Sequence, residues 1–565
     1  MNKIVRSRFW LLLVLLALFA VNWAASKWHT RIDFTNEKRF TLSAATKKLL
    51  RKIDEPVTVN VFLKGNFPSG FRKLSSSTED LLREFREVAG SKLKYHFISP
   101  DETVEGTSVT YADTLSGMGL YPINLTSQVK QGQQQQFVYP VALVKYKDQT
   151  MPVELYKGKT PLISFQELNS AEAMLEYSIA NAIAKITRKE KPVIAYATGN
   201  GEPTNYDTYD LVENILKPDY RFFTFDLQRQ PVVPSEFKVL LLVKPTLSFS
   251  DEEKLKLDQY VMQGGKLLVF IDRLNAEMDS LQVKNEVVAY DRDLKIGDQF
   301  FRYGARINPD LLMDLQCDFL PFDVNGNGQY ELLPWNYFPV LESKSNHPIN
   351  KNLGFVAGQF VNSIDTVEAE GIRKTILLNS SANARKIGTP ALISGKENVT
   401  APEDGKYKMA AVPVAVLLEG KFRSFFANRL SQAMSDSLKA YGQTFLTQCI
   451  DDNKMIIAGD GDIVLNSVVK GNQPIAMGMN PFTFGTQREF PFANREFLQN
   501  CLEYLVNEND LSDAKAKDYV VRLLDTKKVN ESKNFWQAIN IGLPVLIIIL
   551  CALVFQWLRK RKYTA

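Results

Sequence analysis

The sequence has few of the residues on which hydrolytic, redox and nucleotide chemistry usually depend. It holds only three histidines, His29, His96 and His347, and no G-x-S-x-G motif that would mark an acyl-transfer serine. No C-x-x-C pair occurs, which excludes a thioredoxin-type redox centre and argues against a zinc site. No G-x-x-x-x-G-K-[ST] motif occurs, so an ATP-binding loop of that type is missing. These absences predict a protein that is not an enzyme and that has no catalytic residues, cofactor or metal ion.

Cysteine is also scarce. Cys551 lies in the last apolar run, whereas Cys317, Cys449 and Cys501 lie far apart in the rest of the chain. Three cysteines allow at most one internal disulfide, and buried free thiols are the favoured interpretation.

The net charge of +5 does not indicate a nucleic-acid partner, because basic residues at the two ends account for it. Lys3, Arg6 and Arg8 precede the first apolar run, and four basic residues, Arg559–Lys562, follow the last. Subtracting these seven charges from +5 leaves −2 for everything between. A nearly neutral middle lacks the electrostatic footprint of a nucleic-acid-binding protein.

The first long apolar run is Phe9–Ala25, about the shortest length that spans a bilayer. Trp10 and Trp23 lie near its ends, where aromatic rings favour the membrane interface. We predict an uncleaved transmembrane anchor over residues 1–26. The alternative is a signal peptide cleaved near Ala24–Ser26, where the residues are small.

The second apolar run, Phe535–Leu558, predicts a transmembrane helix followed by a basic tail, over residues 535–565. Both basic clusters lie on the terminal side of their runs, and cytoplasmic flanks carry the excess of Lys and Arg. We therefore predict that both termini are cytoplasmic, that residues 27–534 are periplasmic, and that the chain resides in the inner (cytoplasmic) membrane.

Between the two spans the pattern predicts two exterior α/β domains. Residues 27–188 show a β-α-β rhythm, with a strand at Val57–Leu63, that resembles a small thioredoxin-like domain. Residues 189–510 alternate continuous apolar strands, such as Val193–Ala197 and Val239–Val243, with helices, which is typical of a doubly wound sheet. Later strands, among them Ile475–Gly478, are predicted to join this sheet. An insertion is predicted at about residues 275–365 and a charged stalk at 511–534.

Three polar motifs are candidate sites, and each also has a simpler interpretation. Gly199–Thr204 follows a predicted strand, where doubly wound folds bind ligands, but lacks the last glycine of G-x-G-x-x-G, so a tight turn is favoured. Asp323–Gly328 matches the first half of a calcium loop, yet Pro334 stands where the bidentate Glu belongs. Gly459–Asp462 offers acidic ligands, but a turn at a strand end is favoured. None of the three is predicted to be a site.

Several segments resemble the gliding-motility ABC transporter auxiliary proteins (GldG) of Bacteroidetes. They include Asp33–Thr35 with Arg39–Ser43, the strand Val57–Leu63, and Val193–Pro203, Asn325–Pro339 and Ile456–Asn466. The order of these segments and the two terminal spans carry the resemblance, which covers nearly the whole chain. The wider family comprises extracytoplasmic auxiliary subunits of ABC-type transport systems.

The resemblance implies an amidotransferase-like main domain, a separate ATPase and a permease as partners, and a role in gliding. Enzymes of that fold place a nucleophilic cysteine after a strand, and no cysteine of this chain stands at such a position. We therefore expect a non-catalytic auxiliary subunit with no nucleic-acid partner. The alternative is a membrane-tethered envelope enzyme or glycan-binding module. Convergent polar groups at Gly199–Thr204 and Gly459–Asp462 would favour that alternative.

Overall fold

In the computed structural model the chain forms two compact units, residues 1–517 and 518–565. The described residues are 10–27, 41–65, 67–104, 106–129, 132–156, 165–278, 280–281, 286–325, 327–394, 404–469, 472–506, 511–515 and 526–563.

The first part of the larger unit is a four-stranded sheet in the order β2-β1-β5-β6. The elements of this part of the chain are α1 (Trp10–Lys27), α2 (Ala44–Arg51), β1 (Val57–Val61), α3 (Ser69–Ala89), β2 (Leu93–Phe97), α4 (Tyr111–Gly117), β3 (Ile123–Val129), β4 (Gly132–Val138), β5 (Val141–Tyr146), β6 (Gln149–Glu154) and α5 (Phe165–Ile186). Strands β3 and β4 form a separate two-stranded sheet. Strands β1 and β2 are parallel and are joined through α3, whereas β5 and β6 run antiparallel to their neighbours. Ser43, directly before α2, caps this helix: its Oγ accepts from Thr46 N at 3.1 Å.

A seven-stranded sheet forms the centre of the unit, in the order β18-β21-β22-β10-β9-β7-β8. The bounds are β7 (Val193–Thr198), β8 (Arg221–Asp226), β9 (Val239–Val243), α6 (Asp251–Met262), β10 (Lys266–Phe270), β18 (Ile372–Asn379), β21 (Pro413–Gly420), α8 (Gln432–Ala440), β22 (Asn453–Ala458) and α9 (Asn494–Val506), and a π-helical turn covers Asp210–Leu216. The five strands from β22 to β8 are parallel, whereas β21 pairs antiparallel with β22 and β18 pairs antiparallel with β21. Consecutive side chains of the four parallel strands β22, β10, β9 and β7 enter different cores: Leu241 packs into the core that contains α9, and Leu240 into the core that contains α6. Burial on both faces explains why these strands read as unbroken apolar runs.

A set of small antiparallel sheets lies between β10 and β21 in the sequence. Its elements are β11 (Glu286–Ala289), α7 (Gly297–Tyr303), β12 (Ala305–Ile307), β13 (Asp310–Asp314), β14 (Cys317–Phe322), β15 (Glu331–Leu341), β16 (Val356–Ala357), β17 (Ile364–Thr366), β19 (Ala384–Gly388) and β20 (Ala391–Ser394), with the short pair β23 (Val468–Val469) and β24 (Gln473–Pro474) further on. A buried aromatic cluster around Trp335 holds this region together. Because β13 pairs with β19 and β11 with β20, the β-rich region reaches Ser394.

The α/β class predicted from the sequence is confirmed. One predicted strand, Ile475–Gly478, is wrong: the structure has only the short strand Gln473–Pro474 there, and a turn follows. Met477 N donates to Asp210 Oδ2 at 2.8 Å instead of to a neighbouring strand, and Gly478 has a left-handed φ of 81°. The thioredoxin-like and amidotransferase-like descriptions, and the domain bounds at 188 and 510, stay predictions.

The smaller unit is dominated by the helix α10 (Thr526–Tyr563). Its apolar part, Phe535–Arg561, is long enough to cross a membrane and is the one such segment among the described residues. The N-terminal run forms the helix α1, and its membrane-spanning role stays a prediction.

Candidate functional site

The carboxyl ends of the central parallel strands form the candidate site. After β7 the chain forms β8 on one side of that strand and then β9 on its other side. The switch point of the sheet therefore lies between β7 and β9. Open α/β sheets bind ligands at such points. A cleft of about 600 Å³ opens there, and its charged lining residues are Asp207, Lys244, Glu277, Asp318 and Asp462.

The loop after β7 forms one wall of this cleft and is bonded to the loop after β9. Thr246 N and Leu247 N both donate to Asn200 O, at 2.9 and 2.8 Å. Gly201 has a φ of 81°, and a Cβ there would lie 2.0 Å from Thr246 Oγ1. Only glycine permits this backbone conformation and this close approach.

Lys244, the first residue after β9, lies among three carboxylates. Its Nζ is 2.7 Å from each carboxylate oxygen of Asp462. It is also 3.3 Å from Asp272 Oδ2 and 3.0 Å from Glu277 Oε2. The Lys244 backbone has a left-handed φ of 46°. Such a conformation costs about 1–3 kcal/mol in a residue with a side chain and is found preferentially at functional sites.

Backbone groups hold the carboxylates in place. Gly461 N donates to Asp272 Oδ1 at 2.5 Å, and Gln359 N donates to Asp460 Oδ2 at 2.9 Å. A Cβ at Gly461 would lie 2.6 Å from Lys244 Cβ, so glycine lets the β22 loop approach the lysine. The side chain of Arg292 forms an ion pair with Glu277.

Electrostatics fix the charge of the lysine. Burial alone would lower the pKa of Lys244, but Asp462, Asp272 and Glu277 together raise it well above its ordinary value. The ammonium group therefore keeps its proton at neutral pH and cannot act as a nucleophile or a general base. Burial raises the pKa of Asp460, and the nearby carboxylates of Asp462 and Asp272 raise it further.

The same cluster is the arrangement that most resembles a metal site among the described residues. Oxygen atoms of Asp272, Asp460 and Asp462 all lie within 4.8 Å of one another. The Lys244 ammonium, however, already binds two of these carboxylates. The lysine thus supplies the positive charge that a metal ion would bring.

Asn200 and Glu202, at the end of β7, are buried, with exposed fractions of 0% and 8%. Glu202 Oε2 accepts from Asn200 N at 2.8 Å. Asn200 Oδ1 and Glu202 Oε1 have no hydrogen-bond partner within the described part of the chain. Burial, reinforced by the charges of Glu253 and Asp226, raises the pKa of Glu202 to about 7.

A family model described as an ABC-type uncharacterized transport system matches residues 191–501, more than half of the chain. The chain belongs to this family. Membership in the ABC-type transport family indicates an auxiliary component of an ABC transport system. A second model, described as a domain of unknown function, matches residues 36–145.

Individual relatives of this transport-family chain are distant. An uncharacterized protein of Borreliella burgdorferi is 20% identical over 552 residues, covering 94% of each chain. Among solved structures, the mmIFT52 N-terminal domain is 12% identical and matches 55% of this chain and 96% of its own, with a TM-score of 0.30. So low a score carries no conclusion about the fold.

The structure brings together two of the three sequence motifs of this transport-family chain. Gly199–Thr204 and Gly459–Asp462 both contribute to the switch-point cleft. Asp323–Gly328 lies elsewhere and forms a turn, in which Asp323 accepts from Asn327 N and Gly328 N at 3.1 and 3.0 Å. The turn favoured for that motif is therefore present.

None of the cysteines and histidines in the described part of the chain lines the cleft. Cys449 and Cys501 are buried free thiols, and burial raises the pKa of Cys449 to about 11. His96 lies in β2, and burial lowers the pKa of His347 to about 4. His29 lies outside the described residues. The Cys449 thiol, with a pKa of about 11, is protonated at neutral pH and is a poor nucleophile.

Lys244, Asp272 and Glu277 were not predicted from the sequence. A usable signal was present for the first two, because each is the first charged residue after an unbroken apolar strand. In a parallel sheet such residues collect at one edge.

Proposed function

We propose that this chain is a non-catalytic, membrane-anchored, extracytoplasmic auxiliary subunit of an ABC-type transport complex in the inner membrane. The C-terminal helix carries the proposal. Phe535–Arg561 comprises 27 residues, and its apolar window has no surface buried within the described structure. A helix of that length and composition crosses a bilayer. The domains at 27–188 and 189–510 would then stand outside the membrane, with residues 511–534 as a stalk.

The chemistry of the cleft supports a role without catalysis. The lysine at its centre is held as a charged ammonium. Outside the cleft, burial raises the pKa of the Cys317 and Cys449 thiols. The sequence has no phosphate-binding loop, so ATP hydrolysis belongs to a separate subunit.

The proposed topology places both termini in the cytoplasm and residues 27–534 in the periplasm. The basic residues on the terminal side of both apolar runs support it. In a cysteine-free background, a single cysteine near residue 130 should react with an impermeant thiol reagent in spheroplasts. Cysteines near residues 4 and 563 should be protected. Labelling near residue 4 would contradict the anchor, and loss of the first 25 residues would show a cleaved signal peptide instead.

The proposed partners are an ABC permease and a separate ATPase, and the resemblance names gliding over surfaces as the process. We expect the intact protein to co-purify with both subunits in mild detergent, and a strain without it to lose gliding. Helix association in a bilayer depends on close packing of specific faces. Replacing residues 535–558 with an unrelated span should therefore weaken co-purification, while the unchanged span serves as the control. Recovery of the intact protein alone would count heavily against this function.

A membrane-tethered ligand-binding module of the envelope is the second candidate, and the cleft favours it. The polar side chains of Lys244, Thr246 and Asp462 line it at the carboxyl ends of the parallel strands. An auxiliary subunit and a binding module are compatible, because a transport complex can carry its ligand site on an exterior domain. Turnover of an envelope glycan by the purified exterior domain would instead indicate an enzyme.

A further inference from the structure

The seven-stranded sheet ends at β8, and the outer edge of this strand is open. β8 pairs with β7 and with no further strand in the described part of the chain. Arg221 N donates toward β7, to Pro192 O, at 2.9 Å, and Leu227 N donates in the same direction at 2.8 Å. Because the direction of the backbone groups alternates along a strand, the amides of residues 222, 224 and 226 point away from the sheet. These three donors are available to another strand.

The other edges of the two large sheets carry features that discourage such pairing. Exposed Lys94 lies on β2, Pro152 on β6 and exposed Arg373 on β18. Charged side chains and proline are means by which natural sheets block edge-to-edge association. β8 has neither within Phe222–Phe225, between its two charged ends. Among these four edges, β8 therefore favours the addition of a strand.

An exposed aromatic side chain lies on the same edge. Phe223 is 39% exposed and stacks on Phe237, with the two ring centroids 6.1 Å apart. Arg221 Cζ lies 5.4 Å from the centroid of the Phe223 ring. A strand added beside β8 would cover the exposed part of this ring, and burial of aromatic surface favours association.

The pattern of β8 fits a second copy of itself. Two copies related by a two-fold axis pair such edges antiparallel, and only registers that keep the two faces of the sheets aligned are allowed. The register centred on Thr224 sets Thr224 opposite its own copy and Phe222 opposite Asp226, so all three outward amides meet carbonyl groups. It also sets the exposed Phe223 opposite Phe225 of the second copy, and such cross-strand aromatic pairs stabilise sheets.

The charges at the two ends of the strand favour the same arrangement. β8 begins at Arg221 and ends at Asp226, whose Oδ1 accepts from Gln228 N and Arg229 N, both at 3.0 Å. Antiparallel pairing brings the basic end of each strand near the acidic end of the other, whereas parallel pairing of two copies would bring like charges together. This complementarity favours a second copy as the occupant of the edge.

We propose that β8 is a dimer interface, at which two copies of this chain join their seven-stranded sheets by antiparallel pairing centred on Thr224. This inference goes beyond the role as a transport subunit. The two can fail separately, because dimerisation is measured on the purified chain without transporter subunits.

Cysteine cross-linking of the intact protein in detergent tests the pairing. In a cysteine-free background, Thr224→Cys should give a cross-linked dimer with a short bismaleimide. Lys94→Cys, on the edge strand β2, is the matched control and should give none. Equal cross-linking at the two positions, or none at position 224, would overturn the proposal. So would a cross-link from position 224 to a different protein in native membranes, because that result indicates a strand supplied by a partner.

Charged substitutions at the proposed two-fold axis give a second test, which does not depend on cross-linking. Thr224 is exposed, so the monomer should fold with either charge, and circular dichroism checks this. Thr224→Lys sets two like charges opposite each other and should raise the dimer dissociation constant at least about 5-fold in analytical ultracentrifugation. Thr224→Glu should do the same, whereas an equimolar mixture of the two variants should dimerise as tightly as the parent.

Thr224→Val is the uncharged control and should keep the affinity of the parent. A parent protein that stays monomeric at every concentration tested would contradict the dimer. A mixture of the two charged variants that dimerises no better than either alone would contradict pairing across Thr224.

Discussion

We expect the substitution Lys244→Met to lower the free energy of unfolding by about 3–5 kcal/mol at neutral pH, the range measured when one partner of a buried ion pair is removed. Methionine has a similar length but no charge. It would leave Asp462, Asp272 and Glu277 without the ammonium that now contacts all three. Chemical denaturation followed by circular dichroism on the exterior domain measures the loss.

The pH dependence identifies the cause of that loss. Burial already raises the pKa of Asp462 to about 7, against the opposing effect of Lys244, so loss of the ammonium would raise this pKa further above the value in the unfolded chain. A carboxyl with a raised folded pKa stabilises the fold at low pH and loses that contribution as pH rises toward the folded pKa. The deficit of Lys244→Met should therefore be smaller at pH 5 than at pH 8.

Lys439→Met is the matched control, because Lys439 forms an exposed pair with Asp436 at 3.8 Å. Exposed pairs contribute less than about 1 kcal/mol. Equal losses for the two variants would show that the carboxylate cluster does not depend on its lysine. Recovery of Lys244→Met by calcium chloride, beyond that given by sodium chloride at equal ionic strength, would show that the ammonium takes the place of a metal ion.

Strands that are buried on both faces were predictable from the sequence. The apolar runs predicted at Val193–Ala197 and Val239–Val243 correspond to β7 and β9, because both faces of the central sheet are covered. The turn at Asp323–Gly328 was predictable for a local reason, since its hydrogen bonds lie within five residues.

The site itself depends on contacts that no local pattern contains. Lys244 and Asp462 are 218 residues apart, and they meet because β10 pairs with β22 across a long intervening region. The sequence alone does not reveal that β22 joins the sheet beside β10. The motif at Gly459–Asp462 was therefore interpreted as a turn, and the lysine that binds it was missed.

A second large loss of stability is expected when a buried ion pair between the early and late parts of the larger unit is removed. Helix α5 presents Tyr177, Asn181 and Lys185, four residues apart, to Glu503 on α9. Lys185 Nζ lies 2.7 Å from Glu503 Oε1, Asn181 Nδ2 donates to the same oxygen at 2.9 Å, and the Tyr177 hydroxyl donates to Glu503 Oε2. Lys185 also contacts Asp219 Oδ2 at 2.7 Å. These contacts join a helix of the first α/β region to the last helix of the second.

Replacing Glu503 with glutamine should destabilise the unit by about 3 kcal/mol at pH 7. Burial alone would raise the pKa of Glu503, but Lys185 and Lys515 outweigh it and lower the pKa to about 2. The unfolded value is about 4.3, and the difference corresponds to about 3 kcal/mol. Because the folded pKa is lowered, this contribution is fully present above pH 4.3 and is lost as pH falls toward 2. Denaturation midpoints at pH 7 and pH 3 should therefore differ less in Glu503→Gln than in the parent. Glu79→Gln, at an exposed pair with Arg83, should match the parent at both pH values. A Glu503→Gln protein with the parent's pH dependence would show that the ion pair does not couple the two regions.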